Sequence, residues 1–455
     1  MNYLKCPRAI FFASMFLVLA AAASIGAFAQ GSAQRKALTV ESIYGEPGLN
    51  GQIARSLTWT PDGKAVAFLL TAETAAGPKT ELWQMDAATG EKRVLISAEK
   101  LKALLPRQPG LAKQSTGAGR RPSPPFQFSP DGASLLFQTQ NSLIWYDRRT
   151  QSARTLALGQ EPFWDAKISP DGKRVSYVFE HNVWLANVSN AGTSPLTRGG
   201  TEALRKGDFD WVYPEELEIK SGHWWAPDSS AIAYTEMDVS AVTQYPIQDE
   251  PSNPLATLVE RYARAGEPNA VARVLVAPLD GSEPRAMNIG VDKECLIARV
   301  AWLPDGKHLA IQRFNRLQSV LNLLIADTTT GQSRVALTET DPHYVNFSDI
   351  LYFFKDSSRF IWSSERSGFR HLYLYKTVGG EIAQITQGDW EVTALDAVDE
   401  ARGLVYFTAT EKNPLERQLY RIHLDGTGLE RVSREDGTHA ASFSPRAETD
   451  RKSVV

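Results

Sequence analysis

One pattern of hydrophobic and polar positions recurs along the chain. Apolar and polar residues alternate up to a Pro-Asp-Gly segment or a close variant, and a second alternating run follows it. Alternation predicts half-buried β-strands. Proline presets φ, aspartate bonds its own backbone and glycine accepts positive φ, so each copy predicts a tight hairpin. The copies are LTWTPDGKAVAFLL (57–70), FQFSPDGASLLFQT (126–139), AKISPDGKRVSYVF (166–179), HWWAPDSSAIAYTE (223–236) and VAWLPDGKHLAIQR (300–313), with weaker ones at 352–364 and 441–448.

A third strand and then a fourth are predicted after each hairpin. In one repeat they are NVWLANVSNAG (182–192) and SPLTRG (194–199). Four short strands repeated about every 40 to 50 residues are typical of the blades of a β-propeller. Residues 394–435 form a further unit whose first hairpin lacks the motif. The sequence therefore predicts an all-β fold, a seven- to eight-bladed β-propeller of four-stranded blades, with a short helical insertion at about 198–222.

The last repeat is predicted to be incomplete. After Ser444-Pro445, where Asp-Gly and a second strand would be expected, the sequence is RAETDRKSVV, which is polar and does not alternate. We expect a single strand in this unit. Residues 30–455 are thus interpreted as one propeller, incomplete at 441–455.

Composition narrows the class of protein. The chain has 455 residues, of which 43% are hydrophobic and 22% charged, and its formal net charge is −3. These values exclude long disorder and a multispan membrane protein. The near-balance of 49 basic and 52 acidic residues gives no electrostatic footprint for nucleic acid.

The amino-terminal 29 residues predict a secretory signal peptide. Lys5 and Arg8 precede an apolar run from Ile10 to Ile25, and Ala27-Phe28-Ala29 matches the small-x-small cleavage rule. The apolar run is short for a transmembrane helix, although an uncleaved anchor remains the alternative. We expect export to the periplasm or the extracellular space.

Cysteine and histidine give no sign of a metal or a cofactor. Cys6 lies in the predicted signal, which leaves Cys295 alone in an apolar stretch, so we expect a buried thiol and no disulfide. The seven histidines show no metal-ligand spacing, and there is neither a P-loop nor a dinucleotide fingerprint. The basic insertion at 98–125 predicts a solvated linker.

The insertion before the fourth hairpin contains the candidate binding residues. It includes DFDWVYPEELE (208–218), in which Pro214 suits the first position of a helix and places Glu215 and Glu216 in the first turn. Two carboxylates beside the aromatic walls of Trp211 and Tyr213 form a receptor for a cation such as an ammonium group. The alternative is a solvated helix face, which most adjacent glutamates occupy.

The string DFDWVYPEEL, followed closely by HWWAPDSSAIAYTEMD, resembles the dipeptidyl peptidase IV family of serine exopeptidases (the prolyl oligopeptidase clan). The resemblance extends in order from about residue 38 to 445. It implies that this segment projects from an eight-bladed propeller into the active-site cavity. It also implies that Glu215 and Glu216 bind the free amino terminus of a peptide, so that dipeptides are released. Pro214 departs from the acidic triplet usual in the family but leaves the pair intact.

The same resemblance shows what the sequence lacks. The family's nucleophile lies in a GxSxGG elbow of an α/β-hydrolase domain, and no GxSxG occurs in these 455 residues. We therefore assign no catalytic residue, expect the chain to be inactive alone, and expect a hydrolase domain that is missing or separately encoded. Residues 137–146 are too short for the family's arm that carries a substrate-binding arginine. Family members often dimerise through both domains, which leaves dimerisation of this portion open. The alternative function is a non-catalytic exported propeller that binds peptides or a protein partner.

Overall fold

The computed structural model describes residues 38–44, 53–74, 77–105, 125–249, 256–445 and 450–454. The signal peptide predicted at residues 1–29 lies outside the described residues. The described helices are α1 (Val40–Tyr44), α2 (Ala98–Leu104) and α3 (Val212–Glu216). None of them combines the length and the apolarity that crossing a bilayer requires.

The strands form seven antiparallel sheets and two hairpins within the described residues. Sheet I contains β1 (Arg55–Trp59), β2 (Ala65–Thr74), β3 (Gly77–Asp86) and β4 (Lys92–Ile96). Sheet II contains β5 (Gln127–Phe128), β6 (Ser134–Gln138), β7 (Ser142–Asp147) and β8 (Ser152–Leu158). Sheet III contains β9 (Trp164–Ile168), β10 (Arg174–Phe179), β11 (Asn182–Asn187) and β12 (Thr193–Pro195). Sheet IV contains β13 (Leu204–Lys206), β14 (His223–Trp225), β15 (Ala231–Asp238), β18 (Val271–Pro278) and β19 (Arg285–Ala286), and a separate hairpin contains β16 (Gln244–Asp249) and β17 (Ala256–Arg261). Sheet V contains β20 (Leu296–Trp302), β21 (His308–Phe314), β22 (Val320–Asp327) and β23 (Ser333–Thr340), and sheet VI contains β24 (Leu351–Phe353), β25 (Arg359–Ser364), β26 (His371–Lys376) and β27 (Glu381–Gln384). Sheet VII contains β28 (Val392–Asp399), β29 (Leu404–Ala409), β30 (Gln418–His423) and β31 (Glu430–Arg431). The terminal hairpin contains β32 (His439–Phe443) and β33 (Asp450–Val454).

Six of the seven sheets have four strands in chain order, so the all-β prediction with four-stranded repeats is confirmed. Sheet IV differs because both β13 and β14 pair with β15, and α3 lies in the connection between them. The insertion predicted at about 198–222 therefore contributes a strand as well as a helix.

The chain divides into two compact units. The first comprises residues 1–53 and 71–79, and its described part holds α1 together with the ends of β2 and β3. The second comprises residues 54–70 and 80–455. All contacts discussed below lie within the second unit.

The Pro-Asp-Gly segments form the predicted hairpin turns. In sheet III the Asp171 carboxylate accepts hydrogen bonds from Ser169 Oγ at 2.6 Å and from the backbone N–H of Lys173 at 3.0 Å. Gly172 follows at φ +71°, a conformation that a side chain would disfavour. The turn is thus closed by its own residues, which explains why the motif was readable in the sequence.

Turns of successive sheets touch one another. A Cβ atom placed on Gly132 would lie 3.5 Å from Cδ of Pro61, and one on Gly172 would lie 3.5 Å from Cδ of Pro130. Each turn glycine therefore packs against the proline of the preceding turn.

The first sheet and the terminal hairpin are also neighbours. Trp59 Nε1 donates a hydrogen bond to the Ser442 carbonyl at 3.2 Å, across 383 residues of sequence. A Cβ atom on Gly63 would lie 3.2 Å from the Cβ atom of Ser444. The segment around Ser444 thus packs against the turn at Gly63 in the way that the turn of each preceding sheet packs against the turn of the next.

The prediction of a single strand in the last repeat is wrong. β33 pairs antiparallel with β32, with Phe443 opposite Asp450 and His439 opposite Val454. A strand at a sheet edge needs no alternation of apolar residues, and charged residues are common there. The strand β33 was therefore not predicted from the polar sequence of residues 446–455.

The basic insertion at 98–125 is not entirely a linker. Its first residues form α2, whose amino end is capped by Ser97 Oγ accepting from the backbone N–H of Lys100 at 3.4 Å. Leu101 is buried against sheets I and II. Residues 106–124 lie outside the described part of the chain.

Apolar clusters fill the spaces between neighbouring sheets. One cluster joins sheets I and II, another II and III, and a large one joins IV, V and VI. Cys295 belongs to this last cluster at 1% exposure, and burial raises the pKa of its thiol. The prediction of a buried free thiol is confirmed.

A buried polar cluster joins sheets III and IV. His223 Nδ1 lies 3.2 Å from the Asp165 carboxylate, and its Nε2 lies 2.8 Å from Ser176 Oγ. Lys167 Nζ lies 3.1 Å from the same carboxylate, which also accepts from Ser221 Oγ at 2.9 Å. Burial and the neighbouring Lys167 charge lower the pKa of His223. Because His223 and Ser176 are completely buried, this Ser-His-Asp arrangement fastens two sheets and does not present a nucleophile.

Candidate functional site

The helix α3 carries the candidate glutamates and begins earlier than predicted. It starts at Val212, which makes Pro214 its third residue instead of its first. Proline is tolerated there because N–H groups of the first turn have no acceptor within the helix. Glu215 and Glu216 are consequently its last two residues.

Buried side chains anchor α3 to the neighbouring sheet V. Tyr213 is 1% exposed and stacks on Phe209, with ring centroids 5.3 Å apart and planes at 9°. Its hydroxyl accepts a hydrogen bond from the backbone N–H of Ile297 at 3.4 Å. Just beyond the helix, the carbonyl of Leu217 accepts from Arg299 Nη1 at 2.6 Å. Both ends of the helix are thereby fixed against β20.

The two carboxylates lie on the outside of this anchored helix. Glu215 and Glu216 are both exposed, and neither side-chain carboxylate forms a hydrogen bond or an ion pair with another described residue. Burial raises the pKa of Tyr344, and the negative charge of Glu216 raises it further. Tyr344, in the connection between β23 and β24, therefore lies near the pair, where its hydroxyl donates to Gln318 Oε1 at 2.9 Å.

The predicted aromatic walls are placed differently from each other. Trp211 is half-buried and its ring lies 4.4 Å from that of Tyr262, at the end of the β16–β17 hairpin. Tyr213 points inward and does not share the surface with the glutamates. The structure thus adds Tyr262 and Tyr344, which the sequence did not single out because both come from distant connections.

The nearby cations are engaged elsewhere. Arg205 Nη1 donates to the carbonyl of Phe209 at 2.7 Å, and its Nη2 lies 3.6 Å from Glu202. Arg261 binds the same Glu202 carboxylate through Nε at 2.9 Å and Nη2 at 3.1 Å. Neither guanidinium neutralises Glu215 or Glu216. Over the described residues, no group of three histidine, cysteine, aspartate or glutamate side chains is placed to hold a metal ion.

A third carboxylate, Asp210, lies buried under the amino end of α3. Burial raises its pKa to about 6, against the hydrogen bonds from the backbone of Tyr213 and Val212 and the charge of Arg205, which lower it. One of its oxygens, Oδ1, has no hydrogen-bond partner. The charged form of Asp210 therefore costs free energy in the folded protein.

We expect Asp210→Asn to stabilise the protein at neutral pH. Because the pKa of Asp210 is raised in the folded state, the free-energy cost of ionising this buried carboxyl is absent below its ordinary pKa of 3.8 and reaches its full value above about pH 6. The substitution should thus increase the free energy of unfolding by roughly 2 kcal/mol at pH 7 and change it little at pH 3.5. Urea unfolding at four pH values would measure this, and a gain that does not depend on pH would contradict the assignment.

The chain is similar to proteins of one family. The chain matches the model of the dipeptidyl peptidase IV N-terminal region over residues 129–449. It is 28% identical to a probable dipeptidyl-aminopeptidase B of Emericella nidulans, covering 93% of this chain and 50% of that protein. It is 27% identical to a probable dipeptidyl peptidase 4 of the same organism, covering 65% and 42%. The chain spans about half the length of the curated relatives it matches.

A solved structure shows the same fold. The dipeptidyl peptidase 4 of Porphyromonas gingivalis superposes with a TM-score of 0.74 at 24% identity, covering 88% of this chain and 56% of that one. The family model covers 321 of 455 residues, from 129 to 449, and includes α3 and its two glutamates. The chain belongs to the dipeptidyl peptidase IV family, whose N-terminal β-propeller region it contains.

Proposed function

We propose that this chain is the substrate-gating propeller of a dipeptidyl peptidase IV-like serine exopeptidase. In this role Glu215 and Glu216 bind the free amino terminus of a peptide, so that cleavage two residues away releases dipeptides. The observation that carries the proposal is a pair of exposed carboxylates, without partners among the described residues, on a helix held rigidly by buried anchors.

The chemistry of the pair suits an ammonium group. An –NH3⁺ group has three donors, and each carboxylate accepts a charge-assisted hydrogen bond, the stronger kind. The half-buried ring of Trp211, braced by Tyr262, offers an aromatic surface beside the pair. Tyr344 lies near enough to Glu216 for the charge of that carboxylate to raise its pKa. Because Tyr213 is buried, its role is to support the helix.

Hydrolysis itself is proposed as the family's activity, and no catalytic residue is assigned in this chain. The substrates proposed are peptides with a free amino terminus. A hydrolase domain and a second copy of the chain are the partners that this proposal admits.

The proposal is tested by blocking the peptide's amine. A fluorescent Xaa-Pro tripeptide with a free amino terminus should bind the full chain at least tenfold more tightly than its N-acetyl form, since acetylation removes the charge and two donors. Fluorescence anisotropy at low salt measures both affinities. Equal affinity of the two peptides would rule out an amine receptor.

We further propose that the seven sheets and the terminal hairpin form eight propeller repeats closed by contact between the first and the last. The hydrogen bond from Trp59 to Ser442 and the approach of Gly63 to Ser444 support this closure. Export to the periplasm or the extracellular space is also proposed, on the signal-like sequence of residues 1–29.

A further inference from the structure

Arg299, in the middle of β20, is bonded to the backbone beside the candidate glutamate pair. Its side chain is largely buried, with 17% of it accessible. Nη1 donates to the carbonyl of Leu217 at 2.6 Å and to that of Ala298 at 2.6 Å. Because Leu217 directly follows Glu216, the guanidinium holds the carboxyl end of α3 at the residue next to the pair.

The same guanidinium also holds the connection between β23 and β24, residues 341–350, which carries Tyr344. Its Nε donates to the carboxylate of Asp349. Its Cζ lies over the ring of Phe347, 4.8 Å from the ring centroid, at a distance typical of a cation–π contact. A single side chain thus joins α3 to the connection that carries the neighbouring tyrosine.

The first half of this connection is held from another direction. The carbonyl of Gln318 accepts from the backbone N–H of Val345 at 2.8 Å, and its Oε1 accepts from the hydroxyl of Tyr344 at 2.9 Å. Gln318 lies in the turn between β21 and β22 and leaves the second half of the connection to other contacts. Of the contacts described, those of Arg299 are the ones that extend to α3. The distance between Glu216 and Tyr344 therefore depends on Arg299.

We propose that Arg299 is a positioning residue of the amine receptor, which keeps Glu216 and Tyr344 at a fixed separation. This inference rests on the proposed function of the glutamate pair. Arginine suits the role because its rigid fork donates in several directions at once, whereas lysine offers one nitrogen on a flexible stem. Arg299→Lys therefore keeps the positive charge but loses the simultaneous bonds to the two segments.

The separation is tested by NMR without any peptide. The full chain is labelled with ¹³C in its tyrosine rings, and Tyr344→Phe assigns the resonance of Tyr344. Because the charge of Glu216 acts on the phenol of Tyr344, Glu216→Gln should shift this resonance in the parent. In Arg299→Lys the shift caused by Glu216→Gln should fall to less than half. A shift of undiminished size, or no shift in the parent, overturns the proposal.

The matched control is Arg313→Lys, in the same sheet V. Nη1 of Arg313 also donates to a backbone carbonyl, that of Ile289 at 2.7 Å, but in the connection between β19 and β20. This variant should leave the effect of Glu216→Gln on the tyrosine resonance intact, and urea unfolding confirms that each variant is folded. An equal reduction in both lysine variants would mean a general loosening of sheet V and contradict the positioning role.

A second variant tests the same contacts without altering a buried side chain. Asp349 is 76% accessible in its side chain, so Asp349→Ala removes one partner of Arg299 with little effect on folding. It should reduce the effect of Glu216→Gln on the resonance of Tyr344 in the same direction as Arg299→Lys. No reduction in either variant would refute the positioning role.

Peptide binding separates this inference from the proposed function. Arg299→Lys should lower the preference for the free over the N-acetyl tripeptide at least fivefold, with little change for the acetylated form. A parent that discriminates and an Arg299→Lys variant that discriminates equally would overturn the inference alone. A parent that does not discriminate would refute the amine receptor, and the resonance of Tyr344 would still decide whether Arg299 fixes the two segments.

Discussion

Replacing both Glu215 and Glu216 by glutamine is expected to abolish discrimination between free and acetylated peptide amino termini. Each charge-assisted hydrogen bond to an ammonium contributes about 1.5–3 kcal/mol, so loss of both should weaken binding of the free peptide by at least 100-fold. Binding of the acetylated peptide should change little, because it has no charge to lose. Each single substitution should have an intermediate effect.

The control is Glu218→Gln, an exposed glutamate two residues beyond α3. It changes the net charge by +1, as each single substitution in the pair does, without altering the pair, so it should leave both affinities within about twofold. In an enzyme that includes a hydrolase domain, the double substitution and the two single substitutions of Glu215 and Glu216 should lower kcat/KM, and Glu218→Gln should not. An equal loss in Glu218→Gln would mean that the surface charge, and not the pair, attracts the peptide.

The second large effect is expected in the buried cluster between sheets III and IV. Asp165→Asn keeps the size of the side chain and suits the positive φ of 51° at this position, but it leaves Lys167 without its counter-charge. Removing one partner of a fully buried ion pair typically costs about 3–5 kcal/mol, and this pair is partly exposed, with 26% of the Lys167 and 18% of the Asp165 side chain accessible. We therefore expect the free energy of unfolding to fall by about 2 kcal/mol at pH 7, measured by urea denaturation.

The pH dependence of this loss gives an independent check. Lys167 and His223 lower the pKa of Asp165 in spite of burial, so its stabilisation is present above the ordinary pKa of 3.8 and is lost as the pH falls below it. The parent and Asp165→Asn should converge in stability at low pH. Asp280→Asn, in an exposed turn where the amide oxygen can still accept from Ser282, should change stability by less than about 0.5 kcal/mol. A comparable loss in this control would refute a special role for the cluster.

The features that could be predicted from the sequence are those determined by residues close to one another in the chain. A Pro-Asp-Gly turn is closed by residues such as Ser169 and Asp171 within five positions of each other, so the hairpins and their repetition were readable. The adjacent glutamates were likewise found from the local string. The start of α3 was displaced by two residues, because proline is acceptable anywhere in the first turn.

Features assembled from distant repeats were not predictable. Tyr213 turns inward because its hydroxyl meets the backbone of Ile297, 84 residues away. Tyr262 and Tyr344 come to α3 from two different connections. These contacts depend on how the sheets pack against one another, and that packing cannot be predicted from any short segment of the sequence.

The hydrogen bond between Trp59 and Ser442 has a consequence for biosynthesis. Its two residues are separated by 383 positions, and a ribosome adds about 5–20 residues per second. The first sheet must consequently wait on the order of 20–80 s for its neighbour at the end of the chain. During that interval the surface around Trp59 remains uncovered, and the nascent protein depends on its later sheets folding promptly or on a chaperone that shields this edge.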